Sequence, residues 1–150
     1  MALEIRHELR VERSPADVFR FLADTASFPI VDPALVASAP DGVLSEGLTG
    51  TFTHRRGGMT ARSTWQVTEL DAPTRLRVTI RGMGYGMDET ADLLPDGDGT
   101  KVAFVDRVWP TSFAGRLMVA LSGGIMRRDL AKRAGLLKAA LEGGGPLQTL

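Results

Sequence analysis

The sequence predicts an α+β domain in which seven strands, with two short helices after the first, precede a long C-terminal helix. Segments of alternating apolar and polar residues recur through the first 110 residues, Gly-containing turn dipeptides separate several of them, and from Ser112 the apolar spacing changes to three and four. With 150 residues, 43% of them hydrophobic, the chain can fill one core, so a single domain over 1–142 is expected.

The first strand is Leu3 to Val11, with Leu3, Ile5, His7, Leu9 and Val11 on one face and Glu4, Arg6, Glu8 and Arg10 on the other. Ser14 then supplies a helix N-cap, Pro15 the first helical position and Asp17 an acid in the first turn, with Val18, Phe19 and Leu22 facing inward. Residues 24–33 carry two prolines and read as a second short helical turn. Strands follow near 34–43, 47–56 and 59–70, the last two joined by Gly57-Gly58, and then near 74–83, 85–94 and 100–109. Residues 112–142 read as one amphipathic helix that Gly123-Gly124 could kink, and 143–150 as a flexible tail.

Charge supplies a check on hairpin register. A turn at Met83-Gly84 pairs Gly82 with Tyr85, Val78 with Glu89 and Arg75 with Asp92. A turn at Asp96-Gly97 pairs Pro95 with Asp98, Asp92 with Lys101 and Glu89 with Phe104. Arg75, Asp92 and Lys101 then form an outer row of alternating sign, and Arg75, Arg77 and Arg81 join Asp88 and Asp92 in a solvated lattice.

Composition excludes several chemistries. Eighteen Lys and Arg against eighteen Asp and Glu leave no net basic field, so no nucleic-acid partner is expected. Without cysteine there is no disulfide, thiolate nucleophile or Cys-ligated zinc. The first twelve residues alternate instead of forming a signal peptide, and no apolar run approaches the ~18 residues of a membrane span. The expectation is a cytoplasmic protein without membrane insertion, monomeric or homodimeric.

The element order is that of the helix-grip fold. Ser14-Pro15-Ala16-Asp17-Val18-Phe19, Leu22-Ala23-Asp24, Asp32-Pro33, the stretch Gly97 to Val102 and the closing Leu136 to Glu142 resemble the SRPBCC (START-like, Bet v 1-like) superfamily, and within it the bacterial polyketide cyclase/dehydrase group. The resemblance covers nearly the whole chain, although Phe28-Pro29-Ile30-Val31 stands where many relatives carry Trp before the Asp-Pro pair. It implies a seven-stranded antiparallel sheet curled around the long helix and, between them, a cavity for an apolar or aromatic molecule such as a polyketide-like natural product. It implies no cofactor and, if the protein is an enzyme, cyclase or dehydrase chemistry. The group also contains lipid carriers and self-protection proteins that hold reactive natural products, so the alternative expectations are self-resistance by sequestering a product such as an enediyne, and carriage of a lipid or quinone.

Polar residues in an apolar phase carry the candidate chemistry, because leaving them unpaired when buried costs on the order of 1–3 kcal/mol. Glu89 shares the inner face with Asp106, which falls opposite Met87 as its diagonal neighbour, and pairing of first and last strands would bring His7 near Asp106. Glu89 or Asp106 could serve as general base, His7 or His54 as proton shuttle, and Arg56 or Tyr85 as anchor for a ligand oxygen. The competing reading pairs each carboxylate with a buried Arg or His for structure alone. Ligand contacts are expected from Phe52, Ser63, Trp65, Val78 and Ile80, from Met87, Phe104 and Val108, and from Leu117 and Leu121 on the helix. No short ligand spacing supports a metal site, Gly82-x-Gly84-x-Gly86 joins two strands and opens no dinucleotide-binding helix, and Arg127-Arg128 and Lys132-Arg133 read as the wet side of the last helix.

Overall fold

The protein is described by a computed structural model covering residues 2–143, and residues 144–150 of the expected tail lie outside the described residues. The chain runs β1 (Leu3–Val11), α1 (Pro15–Leu22), a 3-10 turn (Thr25–Ser27), α2 (Phe28–Val31), β2 (Leu35–Ala39), β3 (Thr49–Arg56) and β4 (Met59–Asp71). It continues through β5 (Arg75–Gly82), β6 (Tyr85–Asp96), β7 (Gly99–Pro110), α3 (Phe113–Leu121) and α4 (Gly123–Glu142). The strands form one seven-stranded sheet in the order β1-β7-β6-β5-β4-β3-β2, with antiparallel neighbours throughout. Hairpins make every neighbour pair except β1 with β7, which closes the sequence ends together.

Local chemistry explains the helix starts. The Ser14 hydroxyl accepts a hydrogen bond from the Asp17 backbone N–H at 3.2 Å, and Asp24 does the same for Ala26 at 2.9 Å. Helix α1 buries Val18, Phe19 and Phe21, while α4 buries Leu130, Ala134, Leu137 and Leu141, spaced as one helical stripe. Val18, Phe19, Phe21, Leu137 and Leu141 join Val11, Leu93 and Val102 in one buried cluster. The grip is therefore tight around α1 and the C-terminal half of α4, and looser toward α3.

Three features differ from the sequence-based expectation. The β6–β7 turn falls at Gly97-Asp98, so Asp96 pairs with Gly99, Glu89 with Asp106, Met87 with Val108 and Ala91 with Phe104. Gly97 has φ +61° and occupies the first central position, which a type II′ turn reserves for glycine. The partner slides by two residues, so every side chain keeps its face. The outer row changes too: Arg75 lies 3.1 Å from Glu69 and 3.6 Å from Asp92, but Lys101 faces Leu94 and meets Glu8 at 3.7 Å.

The expected single terminal helix is two, broken at Ser122 before the poorly helix-forming Gly123-Gly124. No helix among the described residues is long and apolar enough to cross a membrane.

Close approach of an aromatic ring to a glycine recurs across strands. A Cβ added at Gly50 would lie 2.1 Å from the Ala39 carbonyl oxygen and 2.3 Å from the Trp65 ring. That carbonyl belongs to backbone and cannot swing aside as a side chain would. Gly50→Ala is expected to lower stability by about 2 kcal/mol or more through overpacking. Urea unfolding of wild type and variant measures this, and an unchanged midpoint would mean the β2–β3 edge yields freely.

Candidate functional site

Inside the curl, between the concave sheet face and the α3–α4 segment, lies a cavity of about 600 Å³, within the usual range for a small-molecule site. Small inward residues on the strands, Ala61, Ser63 and Ala91, leave this space. Val78, Ile80, Met87, Phe104 and Val108 supply its apolar wall, as the alternation of their strands requires. Phe28, Phe52, His54 and Trp65 form an aromatic corner: the Phe52 ring centroid is 5.7 Å from those of Phe28 and Trp65 and 5.8 Å from that of His54. The Trp65 indole N–H donates to the Thr51 carbonyl at 3.2 Å, which fixes the ring. Tyr85 borders the mouth, where its ring lies so close over Gly82 that a Cβ there would be 2.3 Å away.

Charged groups stand in the middle of this apolar surface. Glu89 and Asp106 are direct cross-strand partners instead of diagonal ones, and Arg133 reaches both from α4. Its guanidinium donates to Glu89 Oε1 at 3.1 Å and to Asp106 Oδ2 at 2.9 Å. One cation thus faces two carboxylates. Burial pushes the Asp106 carboxyl up to about 7, the Glu89 charge beside it adds to the rise, and Arg133 offsets only part. Burial alone would disfavour the charge on Arg133, but the Glu89 and Asp106 carboxylates outweigh it and hold the guanidinium protonated. Burial, reinforced by Glu89 and opposed by Arg56, raises the Tyr85 phenol.

Two further pairs flank the triad. His54 Nε2 lies 2.9 Å from Asp32 Oδ2. Burial would raise the Asp32 carboxyl, yet His54, with help from Arg133 and the Ala34 N–H, holds it below its ordinary value. Arg56 donates to Asp129 Oδ2 at 2.9 Å. A polar side pocket of about 70 Å³ touches Asp32, Arg56, Asp129 and Arg133, and is too small for an organic ligand.

Most residues expected at the site border the cavity: Phe52, His54, Arg56, Ser63 and Trp65, then Val78, Ile80, Tyr85, Met87 and Glu89, then Phe104, Asp106 and Val108. His7 does not. It shares the inner phase and pairs with Phe104, but α4 packs along β1 and that edge of the sheet lies outside the cavity lining. Leu117 and Leu121 are exposed, because the break at Ser122 lets α3 present Met118 and Val119 to the cavity instead. Arg133 was expected on the wet side and sits at the centre. Its spacing of three from Leu130 and four from Leu137 places it within the buried stripe, and this signal was available in the sequence. Among the described residues no group of three or more His, Cys, Asp or Glu side chains could hold a metal ion.

Seven antiparallel strands gripping a helix, with a cavity between, define the SRPBCC-type, Bet v 1-like class. The chain belongs to the polyketide cyclase / dehydrase and lipid transport family, whose pattern matches residues 2–142. Comparison with curated proteins finds no match. Among solved structures, protein CV1439 from Chromobacterium violaceum is similar with TM-score 0.75 at 17% identity, covering 93% of this chain and 96% of that one. Ara h 8.0201 matches with TM-score 0.73 at 18% identity over 100% of both chains. DynU16, a protein in the dynemicin biosynthetic locus, matches with TM-score 0.69 at 14% identity over 96% of this chain, which spans 49% of DynU16.

A pH signature follows from Asp106. Its folded value near 7 exceeds the ordinary 3.8, so the folded state holds this proton more tightly than the unfolded chain. The resulting stabilisation is complete below about pH 4 and is lost as pH rises through about 7, amounting to up to about 4 kcal/mol. Asp106→Asn should abolish this slope. Denaturant unfolding of both proteins across pH 4–7.5 measures it, and parallel pH profiles would mean Asp106 is ionised throughout.

Proposed function

We propose that the protein binds an apolar or aromatic, polyketide-like small molecule in the cavity and promotes its cofactor-free cyclisation or dehydration. The observation that carries this reading is a carboxylate pair bridged by Arg133 within an apolar cavity of about 600 Å³. The apolar walls would fold the chain, converting an encounter of two distant carbons into a contact. The Glu89 carboxylate takes a proton from a carbon flanked by two carbonyls, and the electron pair moves onto a carbonyl oxygen as an enolate. Arg133, or Tyr85 and Arg56 nearer the mouth, stabilises that oxygen. The enolate carbon attacks a second carbonyl of the same chain, and the alkoxide formed takes the proton held by Asp106. A carboxyl raised toward 7 is suited to that donation. His7, outside the cavity wall, has no part in this proposal.

Family membership and the likeness to DynU16 support a natural-product ligand. A wholly apolar lipid or quinone would leave the central ion triad without a polar partner, which makes carriage the weaker reading. Sequestration of a reactive product without turnover is the second reading, supported by the competition that the two Arg133 hydrogen bonds set up against proton transfer between the carboxyl groups and a ligand. The lack of cysteine fits a cytoplasmic setting for either role.

Glu89→Gln and Asp106→Asn separate the two. A cyclase should lose on the order of 10²- to 10⁴-fold in rate with either change while still binding ligand. Product formation and ligand affinity are read on the same variants, with an aromatic polyketide mimic monitored through Trp65 fluorescence in a Trp109→Phe background. Binding without turnover in wild type would establish sequestration, and no change in Trp65 emission at any mimic concentration would remove the cavity as the site.

A further inference from the structure

The zero net charge of the chain conceals a strongly polarised molecule. No Asp or Glu occurs between Glu46 and Glu69, between Arg81 and Met87, or between Asp106 and Asp129. The antiparallel order brings the ends of β3, β5 and β7 to one end of the sheet, where the β3–β4 turn, the β5–β6 turn and α3 project. Arg55, Arg62, Arg81, Arg116, Arg127 and Arg128 are all exposed there. Arg56 is held by Asp129, whereas no ion pair involves these six among the described residues.

The same end carries most of the large exposed apolar side chains. Met83 is 93% exposed, Phe113 87%, Met59 77%, Leu121 74% and Leu117 64%. Phe113, Leu117 and Leu121 are spaced by four and form one stripe along α3. The Met83-Gly84 turn lies against the start of that helix, with the Thr111 N–H donating to the Gly84 carbonyl at 2.9 Å. Met59, Met118 and Ile125 are exposed and also border the cavity, so this surface surrounds its mouth.

We propose that this end of the molecule docks on an anionic lipid surface, with Met83, Phe113, Leu117 and Leu121 entering the interfacial region and the arginines meeting the headgroups. Apolar side chains ringed by arginine, without a spanning segment, are the pattern of interfacial binding. A second copy of the chain is a poor occupant, because a two-fold contact would set arginines against arginines. A nucleic acid would use the arginines and leave the apolar stripe in water. The apolar groups sit on two separate turns and a helix, and a fluid lipid surface covers them without needing a matching shape. Docking in this orientation opens the cavity mouth directly toward the acyl region, the natural source or destination of an apolar ligand.

Co-sedimentation with vesicles tests the proposal. Wild type should bind phosphatidylcholine vesicles containing about 30 mol% phosphatidylglycerol, bind pure phosphatidylcholine at least about tenfold less, and lose binding as salt rises toward about 0.5 M. The Phe113→Ser/Leu117→Ser and Arg127→Glu/Arg128→Glu variants should each lower partitioning about tenfold or more, with thermal midpoints close to wild type because all four positions are exposed. Absence of binding to the anionic vesicles overturns the proposal. So does equal binding to both vesicle types, or variants that bind as wild type does. Sedimentation velocity showing a dimer that Phe113→Ser/Leu117→Ser dissolves, together with no vesicle binding, assigns the stripe to a second copy instead.

Discussion

The Arg133 guanidinium, shared between Glu89 and Asp106, is the contact on which the rest of the cavity depends. Hydrophobic packing holds the C-terminal half of α4 to the sheet, but toward α3 the apolar stripe gives way to open space. There the two ionic bonds tie helix to sheet across the cavity. Desolvating three ionisable groups for two bonds is a poor route to stability compared with filling the space by leucine. The arrangement has a different consequence: it keeps a polar centre in an apolar chamber and leaves one of two carboxylates incompletely neutralised. Asp106, the more buried of the pair, is therefore the one that retains its proton toward neutral pH.

The cavity and the surface around its mouth follow from the same uneven packing. Breaking the terminal helix at Ser122 lets α3 turn away from the line of α4, so only Met118 and Val119 of its apolar residues face inward. Phe113, Leu117 and Leu121 are left without a partner inside the monomer. Their concentration beside arginines that form no ion pair among the described residues sets an open end apart from a closed end rich in buried aliphatic residues. The exposed border of the cavity and the exposed apolar stripe thereby fall on the same end.

Strand number, strand faces and the helix-grip order were legible because alternation of period two survives any packing detail. Inner-face residues such as Val78, Glu89, Phe104 and Asp106 kept their faces even though the β6–β7 register slid by two, since an even slip leaves parity unchanged. The slip depended on whether Gly97 took the first or second turn position, and Asp-Gly satisfies one alternative while Gly-Asp satisfies the other. Arg133 was legible in principle from its spacing within the α4 stripe, yet a charged residue in a basic run reads as solvent-facing until a partner is known. Its partners, Glu89 and Asp106, are 44 and 27 residues away in the chain.

By itself, then, the sequence determined local order: caps, turns, the face of each strand residue and the family to which the pattern belongs. Tertiary structure alone decided which carboxylates share a cation, which inner-face residues border open space, and where α3 points. His7 and Phe104 show the difference, being cross-strand partners of the same phase, one under α4 at the sheet edge and one in the cavity wall. Periodicity records direction relative to a strand or helix axis. Distance between elements, and hence pairing, void and charge segregation, exists only once those axes are packed.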